Sequence, residues 1–101
     1  MIKHIVMFTL KDEALGKAKD ENLAAMKAML EELPAKIPGV VDLEVATTGI
    51  FESVPATDIV LYTAFRTRED LHAYAIHPEH LKVVAFIKTV AAERRVVDYE
   101  K

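Results

Sequence analysis

Two stretches of this chain are strand-like and apolar on both sides, which limits the folds open to it. Ile2 to Leu10 (IKHIVMFTL) and Asp58 to Phe65 (DIVLYTAF) are rich in β-branched and aromatic residues and read as strands. Alternation sets Ile2, His4, Val6, Phe8 and Leu10 on one face of the first, with Ile5 and Met7 on the other. In the second, Ile59, Leu61, Thr63 and Phe65 share one face, and Val60, Tyr62 and Ala64 the opposite one. A sheet with one wet face would alternate apolar with polar residues. These strands do not, so the sheet is predicted to be covered on both sides.

What lies between them supplies the other elements. After Asp12 and Glu13 a helical pattern runs to about Leu33, with Leu23, Met26, Leu30, Leu33 and Ile37 in steps of three or four. Gly16 weakens its first turn, and Pro34 and Pro38-Gly39 stop it. Val40 to Thr48 reads as a half-exposed strand in which Val41, Leu43 and Val45 alternate with Asp42 and Glu44. Gly49 to Thr57 is a loop. Thr67-Arg68-Glu69-Asp70 carries a capping signal for a helix containing Leu71, Tyr74 and Ala75, broken at His77-Pro78. Pro78 then opens a second piece, to about Ala92, apolar over a wide arc (Leu81, Val83, Val84, Phe86, Ile87, Val90). Arg94 to Tyr99 closes the chain as a fourth strand. The order strand, helix, strand, strand, helix, strand predicts an α+β fold: a ferredoxin-like βαββαβ protomer whose four-stranded antiparallel sheet carries both helices on one face.

With helices on one face, the other face needs its own cover. Assigning Val6, Phe8, Ile59, Leu61 and Phe65 to that second face, exposure forgoes roughly 1.5–3 kcal/mol per side chain. The total, on the order of 10 kcal/mol, rivals the stability of a whole small domain. A twofold homodimer with facing sheets, closing into an α+β barrel, removes the cost. The shared interior would then be the candidate pocket.

Other classes are disfavoured by what the chain lacks. Its 101 residues contain no cysteine, which excludes disulfide scaffolds, thiol nucleophiles and cysteine-ligated zinc. Thirteen basic and sixteen acidic residues are scattered along it with no basic stripe, so no nucleic-acid partner is expected. No apolar run is long enough to span a bilayer, no leader pattern follows Met1, and a cytoplasmic location is expected. Three glycines form no phosphate loop, and the single serine, Ser53, supports no triad. No cofactor is expected.

The histidines carry the chemical information: His4, His72, His77 and His80. His72 reads as solvent-facing, and His4 as a wall residue beside Val6 and Phe8. His80 falls in the first turn opened by Pro78, where the helix dipole disfavours imidazolium and leaves a neutral base. Tyr74 lies across the break, and a phenol beside a neutral imidazole can remove a proton next to a carbonyl. The competing reading has His77 and His80 capping the helix and holding the break together. A metal would have only those two ligands, so none is expected.

Several segments together resemble one family. They are Ile2-Lys3-His4-Ile5-Val6-Met7-Phe8, Leu33-Pro34, Ile37-Pro38-Gly39, Asp58-Ile59-Val60-Leu61-Tyr62, Tyr74-Ala75-Ile76-His77-Pro78-Glu79-His80-Leu81-Lys82-Val83-Val84 and Val97-Asp98-Tyr99. Over essentially all of residues 1–101 the chain is similar to the stress-responsive A/B barrel (Dabb) domain family. The resemblance implies a ferredoxin-like protomer in a dimeric α+β barrel. It also brings in a polyketide cyclase of that family, which closes a ring by intramolecular aldol condensation. The cyclase's catalytic tyrosine and histidine fall on Tyr74 and His80, and its strand-one histidine on His4. Carried over, His80 is the base, Tyr74 polarises a carbonyl oxygen, and His4, Val6, Phe8, Ile59, Leu61 and Thr63 line the substrate pocket. Ile59 stands where the cyclase has a further histidine.

Two functions follow. One is a homodimer that binds or processes a small hydrophobic carbonyl compound by acid–base chemistry. The other is a non-catalytic dimerisation or stress-protective protein with structural histidines. A monooxygenase of the antibiotic-biosynthesis type shares the dimeric barrel, and no motif here singles it out.

Overall fold

The computed structural model describes residues 1–101. Strand β1 (Ile2–Leu10) is followed by a short hairpin, β2 (Glu13–Ala14) and β3 (Lys17–Ala18), then helix α1 (Lys19–Glu31) and a one-turn helix α2 (Leu33–Lys36). Strands β4 (Val40–Ala46) and β5 (Ile59–Phe65), helices α3 (Arg68–Ile76) and α4 (Pro78–Val90), and strand β6 (Ala91–Glu100) complete the chain. The main sheet has the order β4-β5-β1-β6 with every pair antiparallel. This is the ferredoxin-like α+β arrangement, and no helix is long and apolar enough to cross a membrane.

Two local expectations are corrected. Residues 13–18 form a hairpin, so α1 begins later than its amphipathic pattern suggests. Leu15 (φ 57°) and Gly16 (φ 70°) both take the left-handed conformation that a two-residue hairpin turn of the primed type demands. The buried Asn22 amide donates to the Ala14 carbonyl at 3.0 Å and ties the hairpin to α1. In β4 the register shifts between Val40 and Asp42. The extra residue of this bulge is Val41, left 40% exposed instead of sharing a buried face with Leu43 and Val45.

The helix break is built as its sequence suggests. The Thr67 hydroxyl oxygen accepts from the Asp70 N–H at 3.1 Å and caps α3. His77 leaves the helical conformation, and its Nδ1 accepts from the Glu79 N–H at 3.1 Å, capping α4 with Pro78 in its first turn. α4 then packs against α1, α2 and α3, burying Val83, Ile87 and Val90. Leu81 stays outside this stripe and is exposed.

The largest correction concerns which face of the sheet the helices take. Ile59 and Phe65 are fully buried, and Val6, Phe8 and Leu61 are at most 3% exposed, all within the single chain. They belong to one core cluster with Met26, Leu30, Leu33, Tyr74, Val83 and Ile87 from the helices. The face assigned to a partner is therefore covered by the chain's own helices. The open face carries Ile5 and Met7 of β1, Val60 and Tyr62 of β5, and Val97 and Tyr99 of β6. The physical reason is polarity. Across β1, β4 and β5 the open face also holds Lys3, Asp42 and Glu44, whose charges would have lost their water beneath helices. His4 and Thr63 interrupt the apolar helix side in the two central strands, and Arg94, Asp98 and Glu100 of the edge strand β6 share that side but stay exposed. Thr63 answers its burial by donating its hydroxyl to the His4 carbonyl at 3.0 Å.

Candidate functional site

Between the helices and the sheet lies a cavity of about 330 Å³, at the small end of the range for ligand sites. β1 contributes His4, Val6 and Phe8, β5 contributes Leu61, and α1 contributes Leu30. The two helices of the break supply most of the rest: Leu71, Tyr74 and Ala75 from α3, and His80, Val84, Ile87 and Lys88 from α4, with Arg94 of β6 at the edge. This corrects the location expected from a shared dimer interior, because one protomer walls the cavity. Of the residues expected to line it, His4, Val6, Phe8, Leu61, Tyr74 and His80 do so. Ile59 and Thr63 are not in its wall; both are completely buried.

The break between α3 and α4 creates the chemistry. Tyr74 lies in the last turns of α3 and His80 in the first turn of α4, so the sharp turn at His77 folds one ring against the other. Their ring centroids are 4.3 Å apart, and Tyr74 also packs against Phe65 at 5.1 Å. His80 Nδ1 lies 3.0 Å from the Ala75 carbonyl oxygen. A carbonyl only accepts, so the proton sits on Nδ1 and Nε2 keeps its lone pair. Burial lowers the His80 pKa below its ordinary 6.5, outweighing the help of the Ala75 carbonyl, and the nearby His4 and Arg94 push the same way. His80 is thus a neutral base at physiological pH.

Tyr74 is the complement. It is 1% exposed, and its hydroxyl has no hydrogen-bond partner in the protein. Burial pushes its pKa up to about 12, so the phenol holds its proton and can donate it to an acceptor in the cavity.

His4 lies edge-on to Tyr74, with ring centroids 6.5 Å apart. Its Nδ1 is engaged by the Asp98 carboxylate, which fixes the ring and leaves Nε2 free. The antiparallel register makes this pair, since His4 lies directly opposite Asp98. Sequence reasoning did not assign Asp98 a role, nor Lys88 and Arg94. The signal was the β1–β6 register, which alternation alone does not give. His77 is committed to its cap and His72 is exposed, away from the cavity. No three acidic or histidine side chains converge in a metal-ligating cluster.

The His80 environment makes stability pH-dependent. The folded pKa lies below 6.5, so between that value and the lower folded pKa the unfolded chain binds more protons than the native one. Stability is therefore expected to fall as pH drops through 6.5 towards the folded pKa. Thermal melts at pH 7.5 and 5.5 should show a larger loss for wild type than for His80→Asn. Equal losses would mean that His80 titrates freely.

A family model for the stress responsive A/B barrel domain matches residues 2–101. A stress-response A/B barrel domain-containing protein of Arabidopsis thaliana is 30% identical over 101 residues, 98% of this chain and 46% of the relative. The chain thus spans less than half the length of that relative. Among solved structures, a dimeric protein of ferredoxin-like fold from Bacteroides fragilis superposes with a TM-score of 0.82 at 32% identity, covering 99% of this chain and 95% of the other. A hydroxynitrile lyase from Passiflora edulis reaches a TM-score of 0.81 at 14% identity, covering 97% of this chain and 90% of the other; that likeness shows the fold alone. The ferredoxin-like sheet topology accords with the sequence match. The chain belongs to the stress-responsive A/B barrel domain family.

Proposed function

We propose that this protein binds a small apolar carbonyl compound in the cavity and processes it by acid–base chemistry. The observation that carries this reading is the Tyr74 hydroxyl, buried without a partner beside a neutral His80 in a largely apolar chamber. A bound carbonyl oxygen gives that hydroxyl its acceptor. His80 Nε2 takes the proton from the adjacent carbon, the C–H electron pair becomes the enolate C=C bond, the carbonyl π pair moves onto oxygen, and the Tyr74 O–H stabilises the charge there. His4, steadied by Asp98, lines the same cavity. The enolate can then attack a second carbonyl of the same molecule, as in an aldol ring closure.

The protein acts as a homodimer in this proposal, joined through the open sheet face. Val97 and Tyr99 there are 47% and 46% exposed beside the half-buried Ile5, Met7, Val60 and Tyr62, an apolar patch of the kind that marks an interface. The Bacteroides fragilis relative is described as dimeric.

A second reading, a non-catalytic dimeric or stress-protective protein, is favoured by one observation. The His77 cap and the His80–Ala75 hydrogen bond both hold the helix break in shape. Deuterium exchange separates the two. In D₂O the wild type should exchange the α-protons of 4-phenylbutan-2-one faster than buffer, and His80→Ala should lose roughly 100-fold or more of that rate. Exchange no faster than buffer in the wild type, or an unchanged rate in a folded His80→Ala, would leave the structural reading standing.

A further inference from the structure

The cavity wall is asymmetric in charge. Nine of its thirteen lining residues are hydrophobic, and the other four are His4, His80, Lys88 and Arg94. No acidic side chain lines it. Lys88 and Arg94 come from neighbouring elements, the end of α4 and the start of β6, and both are exposed at the cavity's edge. Neither makes an ion pair, although seven such contacts occur elsewhere in the chain. Neither side chain donates a hydrogen bond within the chain, unlike Arg95, whose Nη2 donates to Pro55, Ala56 and Thr57. Two free cations thus stand at the edge of an apolar chamber.

Resting on the reading of the cavity as a ligand site, we propose that its ligand is an amphipathic carboxylate. Its apolar body lies against Val6, Phe8, Leu61 and Ile87, and its carboxylate meets Arg94 and Lys88. The Arg94 guanidinium offers paired N–H donors matched to two carboxylate oxygens, and Lys88 adds a point charge. The aligned register pairs Arg94 with Phe8, so the charged and apolar contacts fall on adjacent strands at one end of the cavity. The arrangement orients the ligand: charged end at the edge, reacting carbonyl inside at Tyr74 and His80. It also selects against neutral compounds of the same shape, which leave nothing on the two cations.

Titration calorimetry with 4-pentylbenzoate and the neutral 4-pentylbenzamide tests this. The wild type should bind the benzoate about fivefold to tenfold more tightly at low salt, with the gap narrowing as ionic strength rises. In the double variant Arg94→Gln, Lys88→Gln the benzoate should weaken to the level of the amide, whose affinity stays put. Equal wild-type affinity for both probes would overturn the anion site and leave the cavity reading intact. A preference for the benzoate that survives in the double variant would likewise overturn it. Binding of neither probe would overturn the cavity reading and this inference together.

Discussion

Tyr74→Phe is expected to melt at or above the wild-type temperature while α-proton exchange of a bound ketone falls by about 100-fold to 10,000-fold. The two halves come from the same atom. A buried hydroxyl without a partner costs roughly 1–3 kcal/mol of lost hydration, so deleting it leaves stability unchanged or improves it. The phenyl ring still fills the space against Phe65 and His80, so no cavity opens. A hydroxyl that folding does not need, on a ring that lines an apolar chamber, is available to a ligand. Thermal melts and exchange rates on the same preparation check both halves. A Tyr74→Phe variant that loses stability, or that keeps its exchange rate, would show that the hydroxyl has a structural partner or no part in the chemistry.

Ile5→Asp is expected to convert the dimer to a monomer that remains folded. Ile5 lies at the middle of the open face, between Tyr62 of β5 and Val97 of β6. It is only half-buried in the protomer, so an aspartate there stays hydrated and the core beneath is untouched. In a twofold sheet-on-sheet dimer the substitution appears twice, each copy burying an uncompensated carboxylate at a cost of about 3–5 kcal/mol. That weakens association by more than about 1,000-fold. Sedimentation should report a dimer for wild type and a monomer for Ile5→Asp, with circular dichroism unchanged. A wild-type monomer, or an Ile5→Asp dimer, would mean that this face is not the joint.

Much of this was legible in the residues, and the failures are instructive. The strand order, the Thr67 cap and the His77-Pro78 break follow from local chemistry: a hydroxyl that bonds a free N–H, and a proline that bars its predecessor from the helix. The hairpin at 13–18 escaped because Leu15 is an unusual residue for the left-handed region, so only Gly16 signalled the turn. Tyr74 and His80 were found through their neighbourhood in sequence. Asp98 and Arg94 entered only with the β1–β6 register, which pairs residues more than eighty positions apart.

Alternation along a strand says which side chains travel together, because successive residues must point opposite ways. It does not say which set meets the helices, and here the choice went against expectation. The set with Val6, Phe8 and Phe65 went under the helices, since across β1, β4 and β5 the other side carries Lys3, Asp42 and Glu44. From its residues alone, then, the chain specified its elements, their order, and the tyrosine–histidine break. Only packing in three dimensions assigned the inside of the sheet, moved the cavity into a single protomer, and brought two unpaired cations to its edge. Those outcomes depend on the desolvation of groups distant in sequence, a balance that no local pattern records.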